Sequence, residues 1–153
     1  YSTPPVRFKS KPILDFASNV LYGLPSLIAY SQISNKWPTF LVVFIIFTWT
    51  SAMHLFSAIP DIESDKKGKV TTSATFLGKT RSLYLCLFFW GITALTASYI
   101  NPIFLLSFIY PFVPLSLLIW KEISIERVYW YFPKINTVLG FILFWYYAIK
   151  FVL

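Results

Sequence analysis

The chain is poor in charge. Only 12% of its 153 residues are Asp, Glu, Lys or Arg, whereas 57% are hydrophobic and the mean hydropathy is +0.65. A soluble domain carries about twice that share of charge, so the composition predicts an integral membrane protein. Cys86 is the single cysteine and His54 the single histidine, which excludes an intramolecular disulfide and a zinc site of Cys and His ligands. The net charge of +7 does not indicate nucleic-acid binding, because the basic residues are confined to short segments between apolar runs.

Five apolar runs each approach the roughly 20 residues that a helix needs to cross a bilayer. They lack the two-residue alternation of transmembrane strands. We therefore predict an all-α fold, a polytopic transmembrane helical bundle of five spans. The predicted spans are Ile13 to Gln32, Pro38 to Ala58, Ser82 to Ile100, Pro102 to Trp120, and Ile135 to Leu153.

The basic residues are distributed unequally between the two sides of this arrangement. If residues 1–12 are cytoplasmic, the outer side carries Lys36 and Lys150. The other eleven of the 13 basic residues are Arg7, Lys9, Lys11, Lys66, Lys67, Lys69, Lys79, Arg81, Lys121, Arg127 and Lys134. Connections rich in Lys and Arg face the cytoplasm. We therefore expect a multi-pass protein of the inner or plasma membrane, with the loop at 59–81 in the cytoplasm.

That loop is the most densely charged stretch of the chain. Asp61 and Asp65 are four residues apart, so on a helix their carboxylates share a face about 6 Å apart and repel each other unless a cation lies between them. Carboxylate oxygens, water and phosphate oxygens are the ligands that Mg²⁺ prefers. Three lysines follow, at Lys66, Lys67 and Lys69. The pattern favours a magnesium–diphosphate site, and the alternative is a solvated helix end.

Polar side chains also fall inside the predicted spans. Asp15 and Asn19 lie four residues apart at the cytoplasmic end of the first span. His54 precedes Asp61 by seven residues, which places it two helical turns, roughly 10 Å, deeper. An ionisable residue in a membrane is costly and normally faces an interior cavity. We expect these three residues to line a central pocket; the alternative is that they join helices by hydrogen bonds.

A longer pattern surrounds the aspartate pair. It reads Phe-Ser-Ala-Ile-Pro-Asp-Ile-Glu-Ser-Asp from Phe56 to Asp65, and is followed by Thr71-Thr72-Ser73-Ala74 and Leu77-Gly78. The chain opens with Tyr-Ser-Thr-Pro-Pro-Val-Arg-Phe-Lys. These segments resemble the second aspartate-rich motif and the Tyr/Lys segment of the UbiA superfamily of intramembrane prenyltransferases.

The resemblance implies a fold. Members of that family have nine transmembrane helices, with aspartate motifs after the second and the sixth. Residues 1–153 would then form a single UbiA-like transmembrane domain that corresponds to helices five to nine, the C-terminal part of the fold. The resemblance also implies a partner chain that supplies the N-terminal helices with their own aspartates. We therefore expect that these 153 residues do not catalyse prenyl transfer alone.

The resemblance also implies an activity. The run from Ala58 to Glu63 and the opening segment look most like the carotenoid branch, lycopene elongases, which add a five-carbon unit to lycopene. The implied reaction is Mg²⁺-dependent transfer of an allylic prenyl group from a prenyl diphosphate to an apolar acceptor within the bilayer. Asp61 and Asp65 would hold one Mg²⁺. The expected diphosphate donors are Tyr1, Arg7, Lys9 and Lys66, above a pocket lined by Asp15, Asn19 and His54.

The chain differs from the family pattern at three positions. The glycine expected four residues after the second aspartate is Lys69. The basic residue common two positions later is Thr71, and the lysine of a strict Tyr-x-x-x-Lys is replaced by Pro5.

Other functions stay open at this point. A channel or transporter subunit would use the Asp61 loop as a cation vestibule, although the sequence has no inverted repeat or paired broken helices. A non-catalytic structural or regulatory subunit is a second alternative, and prenylation of an aromatic or quinone precursor is a third. The CDP-alcohol phosphotransferases are discounted, because their Asp-Gly-x-x-Ala-Arg segment is missing ahead of Asp61.

Overall fold

The fold, in a computed structural model that describes residues 7–152, is helical, and no strand occurs within that range. Tyr1 lies outside the described residues. The eight α-helices are α1 Leu14–Ala17, α2 Leu24–Ser34, α3 Phe40–Ala58, α4 Ile62–Lys67, α5 Ser73–Ile100, α6 Ile109–Ile119, α7 Ile125–Tyr129 and α8 Phe132–Val152. Three 3₁₀ helices accompany them, at Phe8–Ser10, Ser18–Gly23 and Pro102–Phe108.

Four helical stretches are long and apolar enough to cross a membrane. They are Phe40–Ala58, Ser73–Ile100, Pro102–Ile119 and Ile125–Phe151. Each contains or closely matches one of the last four predicted spans. The predicted all-α, polytopic helical bundle is therefore confirmed.

The first predicted span has a different form. Residues 14–34 are helical, but they pass from α1 through the 3₁₀ helix Ser18–Gly23 into α2. A Cβ atom on Gly23 would lie 2.3 Å from Cγ2 of Ile46, so the 3₁₀ helix approaches α3 as closely as only glycine permits. Pro25 lies in the first turn of α2, where a missing N–H is tolerated, so it begins a helix instead of kinking one. A fifth crossing by these residues stays a prediction.

Helix α5 begins nine residues before the predicted span, inside the segment that we expected to be loop. Thr72 caps it, with its hydroxyl accepting from Thr75 N at 3.2 Å, while Thr75 Oγ1 accepts from Thr72 N at 2.8 Å. This reciprocal pair satisfies two N–H groups that a helix start leaves unbonded. Gly78 then interrupts the helix with φ +76° and ψ +166°. The predicted loop 59–81 therefore contains α4 and the first nine residues of α5.

The core lies where α3 packs on α5. Small residues bring the two backbones close, since Ala52 and Ala94 are fully buried, and Thr48 and Thr93 join their hydroxyls at 2.7 Å. Such contacts drive helix association in lipid, where burial of apolar surface alone gains little. An aromatic cluster continues the core towards α6 and α8. Its ring centroids lie 5.0 to 6.3 Å apart, and its members are Phe56, Trp90, Tyr110 and Phe132.

The outer surface of the bundle, away from this core, is apolar and exposed. Along α8, Phe141, Phe144 and Phe151 are all exposed, which suits contact with lipid or with further membrane helices. Between α6 and α8, the short helix α7 is followed by the exposed rings of Trp130 and Tyr131. Such rings suit a position at the membrane interface, where Trp and Tyr are enriched.

Candidate active site

The aspartate pair lies on a helical turn. Asp61 precedes α4, and Asp65 lies on α4 with its N–H donating to the carbonyl of Asp61 at 2.8 Å. The two residues are therefore one turn apart on one face, as the spacing predicts. The carboxylate of Asp61 makes no capping hydrogen bond and is exposed, and the side chain of Asp65 is 12% exposed. Glu63 lies on another face, where it pairs with Lys66.

This donor set fits a magnesium ion that also binds phosphate oxygens. Two carboxylates one turn apart supply hard oxygen ligands, and the exposure of Asp61 leaves room for water and a substrate on the metal. No group of three or more His, Cys, Asp or Glu side chains suited to a metal occurs within residues 7–152. Asp61 and Asp65 can thus hold one ion only with ligands that come from elsewhere.

The end of α4 explains one departure from the family pattern. Val70 N donates to Asp65 O at 2.9 Å, and Lys69 N donates to Lys66 O at 3.1 Å. These two bonds form a Schellman motif, whose turn residue is left-handed and usually glycine. Lys69 occupies that position with φ +53°. The glycine of the family pattern therefore has a backbone role, which the lysine performs here at a cost in strain.

One basic residue of the N-terminal segment approaches the pair. Lys9 Nζ lies 3.9 Å from Asp65 Oδ1, with its side chain half exposed. Arg7 is exposed at the start of the 3₁₀ helix Phe8–Ser10. The structure thus places Lys9 beside the aspartates, as predicted.

Lys66 is placed differently from the predicted diphosphate donor. Its Nζ lies 3.0 Å from Glu63 Oε1, and it lines a shallow surface pocket with Lys69 and Thr71. This ion pair is solvent-exposed and weak, so Lys66 can leave Glu63 for a stronger anion at little cost.

The buried carboxylate of Asp15 takes part in hydrogen bonds that hold two segments of the fold together. It is 1% exposed, and its carboxylate accepts from Ser73 N at 2.6 Å and from Ser73 Oγ at 2.5 Å. Ser73 Oγ in turn accepts from Ile13 N at 2.7 Å. The backbone of Ile13 has φ +74°, which is strained for a β-branched residue. These contacts match the alternative interpretation of Asp15, a hydrogen-bond partner between helices, and explain the serine of the Thr71-Thr72-Ser73-Ala74 run.

Asn19 and His54 line a common cavity at the Asp61 end of α3. The cavity measures about 270 Å³, and its polar wall comprises Asn19, Thr50, His54, Ser57 and Tyr129. The amide of Asn19 also donates to Asp15 O at 2.7 Å and Phe16 O at 3.2 Å, which fixes its side chain. The predicted pocket therefore receives Asn19 and His54, whereas Asp15 is bonded to Ser73.

A second, larger cavity lies towards the other end of the bundle. It measures about 700 Å³ and is almost wholly apolar, with aromatic walls from Tyr30, Trp49, Phe104, Tyr110 and Tyr147. Trp49 lines both cavities. Sequence reasoning missed Trp49, because one tryptophan among 32 aromatic residues of a membrane protein carries no distinguishing signal.

Comparison with known proteins adds an independent line of support. The chain matches the UbiA prenyltransferase family over residues 1–145. It is 40% identical over 143 residues to the lycopene elongase/hydratase of Haloarcula japonica, covering 93% of the chain and 48% of that protein. The Haloferax volcanii lycopene elongase/hydratase is 40% identical over 144 residues, covering 94% of the chain and 48% of the relative. The Halobacterium salinarum lycopene elongase/hydratase is 39% identical over 143 residues, covering 93% and 52%.

The chain thus spans about half the length of the curated relatives that it matches. No solved structure matches it significantly.

Proposed function

The chain belongs to the UbiA prenyltransferase family, and on that premise we propose that it contributes half of an intramembrane prenyltransferase acting on a polyene. The reaction would move an allylic prenyl group from its diphosphate to the end of an apolar isoprenoid such as lycopene. The names of the curated relatives support this acceptor class. So does the larger cavity, which has no charged side chain on its wall.

The first step would be capture of the diphosphate at Asp61 and Asp65. These carboxylates would hold Mg²⁺, which neutralises the leaving group when bound. Lys9 adds a cation on the same side, because its ammonium group lies 3.9 Å from Asp65. Arg7 and Lys66 are exposed nearby and can reorient to donate to phosphate oxygens. We place Tyr1 in the same set on the family resemblance alone. Cationic donors aimed at a leaving group stabilise the charge that develops there.

One observation carries the proposal: the helix that leads to the aspartate pair also lines both cavities. His54 and Ser57 of α3 line the smaller cavity and precede Asp61 by seven and four residues. Trp49 of α3 lines both the smaller and the larger cavity. A diphosphate at the aspartates can therefore direct its prenyl chain along α3 towards the apolar cavity.

The cavities suit a carbocation. When the diphosphate leaves with the bonding electron pair, it produces an allylic cation that water would destroy. The apolar wall of the larger cavity excludes water, and the ring faces of Trp49 and Tyr110 attract positive charge. The centroids of these two rings lie 5.6 Å apart in an edge-to-face arrangement, and this contact holds Trp49 in place.

The sidedness of the site belongs to the proposal. In the predicted five-span arrangement, eleven of the 13 basic residues fall on the side that carries Asp61, so we place the aspartates in the cytoplasm, the source of Mg²⁺ and prenyl diphosphates. The acceptor would enter from the bilayer.

Expression in lycopene-producing cells tests the acceptor class. The chain, expressed with the portion of a curated relative that it does not match, is expected to convert lycopene into a longer, more apolar carotenoid. Asp61→Ala should remove this product, and Glu63→Ala, on another face of α4, should retain it. If lycopene stays unchanged while an aromatic acid or quinone precursor is prenylated, the polyene assignment is wrong and only the family activity survives.

A further inference from the structure

The proposed reaction leaves a proton to be removed, and this inference rests on that proposed function. When an acceptor alkene attacks the allylic cation, its π electrons form the new C–C bond and its other alkene carbon becomes a cation. Neutrality returns when that cation loses a proton from the neighbouring carbon, or when water adds to it and then loses a proton. Either route needs a base near the site of C–C bond formation.

Few side chains in the described part of the chain offer such a base within the membrane. The larger cavity has no carboxylate, histidine or lysine on its wall. The smaller cavity has His54, together with side chains that are neutral at physiological pH: Asn19, Tyr22, Thr50, Ser57 and Tyr129. Asp15 is bonded twice to Ser73. An imidazole is the one group on that wall whose unperturbed ionisation lies near neutral pH.

His54 also lies close to a residue that borders both cavities. It follows Trp49 by five residues on α3, and both side chains line the smaller cavity. Trp49 additionally lines the larger cavity, so one wall residue of the smaller cavity connects His54 with the apolar cavity proposed for the acceptor. The side chain is half buried, which separates it from bulk water but leaves it access to the cavity.

We propose that His54 is the catalytic base that accepts the proton released after prenyl transfer. The C–H bond next to the cationic carbon breaks, its electron pair forms the new C=C bond, and the proton moves to the neutral imidazole. If water attacks the cation instead, the same imidazole takes the proton of the attacking water and an alcohol results. In both cases the imidazolium returns its proton to the cytoplasm, which regenerates the base, and only the second route consumes water.

The charged groups around His54 suit this role. The charges of Lys9 and Asp15, both in the N-terminal segment, have opposite electrostatic effects on His54. Tyr22 of the 3₁₀ helix Ser18–Gly23 and Tyr129 of α7 line the same cavity as His54.

The test compares diphosphate release with product formation. Membranes that contain the chain and the unmatched portion of a relative receive a five-carbon allylic diphosphate and lycopene, at several pH values. For His54→Gln, we expect C–C coupled product to fall about 100-fold, as for loss of a general base, with a much smaller fall in diphosphate release. Product formation by the unmodified chain should fall as the pH drops through imidazole titration, and the variant should lose that dependence.

The mass of the product distinguishes proton loss from the cation, which gives an alkene, from proton loss after water addition, which gives an alcohol. The alcohol is heavier than the alkene by the mass of one water molecule. Thr137→Ala removes an exposed hydroxyl that donates to Pro133 O within α8 and lines neither cavity, and it should keep both the product ratio and the pH profile. If His54→Gln does not accumulate in the membrane, product formation is measured for His54→Ala with and without added imidazole. Recovery of product by imidazole supports the role of His54 as the base.

Three results would overturn the assignment. The first is an unchanged product yield and pH profile in His54→Gln. The second is an equal fall in diphosphate release and product, which indicates a structural role or diphosphate binding. The third is an unmodified chain that prenylates no polyene; this removes the proposed function itself, and the assignment of His54 with it.

Discussion

Asp15 and Ser73 are 58 positions apart in sequence, and both are 1% exposed in the fold. The carboxylate of Asp15 accepts from the backbone N–H and the hydroxyl of Ser73, at 2.6 and 2.5 Å, at the first residue of α5. A negative charge at a helix N-terminus is favourable. The pair fixes the segment that carries Lys9 and Asn19 against the helix that follows the aspartate loop.

The first prediction concerns this pair. Asp15→Asn would replace an oxygen by an amide NH₂ that faces the donors of Ser73, and Ser73→Ala would remove two bonds, the one that its hydroxyl donates to Asp15 and the one that it accepts from Ile13 N. A hydrogen bond to a charged group contributes roughly 1.5–3 kcal/mol, so we expect each variant to lose about that much stability. Thermal unfolding in detergent measures it. Ser31→Ala is the control, because that hydroxyl bonds within its own helix. A loss no larger than that of Ser31→Ala would contradict the account.

The second prediction concerns Lys69. Because its φ is +53° at the end of α4, Lys69→Gly should stabilise the protein by roughly 1 kcal/mol, by relieving left-handed strain. Lys67→Gly removes the same charge from the last residue of α4, where glycine is unfavourable by up to about 1 kcal/mol. Opposite shifts of the unfolding temperature are expected. Equal shifts of the unfolding temperature in one direction would show that the lysine charge, and not the backbone conformation, determines the change in stability.

The third prediction concerns the interruption of α5. Gly78 has φ +76° and ψ +166°, a region open essentially to glycine, so Gly78→Ala should cost roughly 1–3 kcal/mol. Gly91 lies in the regular part of the same helix, with no atom within 4 Å of an added Cβ. Gly91→Ala should stabilise by up to about 1 kcal/mol. If both alanines stabilise the fold in the same unfolding assay, the interruption at Gly78 is not required.

The fourth prediction concerns sidedness. A cysteine at Ser64 should react with a membrane-impermeant thiol reagent only from the cytoplasm, and a cysteine at Lys36 only from outside, because the basic residues cluster on the Asp61 side. Cys86 is fully buried and gives little background. Labelling of both positions from one side would rule out an odd number of crossings between them, and with it the proposed orientation of α3.

Much of the fold follows from local sequence. Long apolar runs predict the helices, because a bilayer leaves backbone groups no partner except within the segment. The spacing of Asp61 and Asp65 predicts their shared face, because one helical turn relates them. The start of α5 was misplaced because the charges at Lys79 and Arg81 mark the edge of an apolar run, whereas the helix begins at the Thr72 cap.

The partner of Asp15 and the role of Trp49 depend on contacts between distant segments. An isolated aspartate in an apolar run predicts only that it must be satisfied. Its partner, Ser73, lies 58 positions away, and no local pattern specifies a contact between segments so far apart. The position of Trp49 on the walls of both cavities likewise depends on how α3, α5 and α6 pack together.

Dependence on the portion of the relatives that the chain does not match is the fifth prediction. The chain spans about half the length of its curated relatives, and Asp61 and Asp65 would hold one Mg²⁺, whose two positive charges do not neutralise a diphosphate. Membranes with the chain alone should therefore give no prenyl transfer, whereas adding the unmatched portion of a relative should restore it. Robust turnover by the chain alone would show that one aspartate pair suffices.

The most direct test of the central claim, that Asp61 and Asp65 bind the diphosphate through Mg²⁺, is a titration of prenyl transfer against Mg²⁺ in the paired membranes. A labelled five-carbon allylic diphosphate and lycopene are the substrates, and the unmodified pair is compared with Asp61→Ala, Asp65→Ala and Glu63→Ala. We expect transfer that requires Mg²⁺, a fall of at least about 100-fold on loss of either aspartate, and near-normal transfer in Glu63→Ala. Transfer that persists without Mg²⁺, or in Asp61→Ala and Asp65→Ala at the level of Glu63→Ala, would contradict the claim.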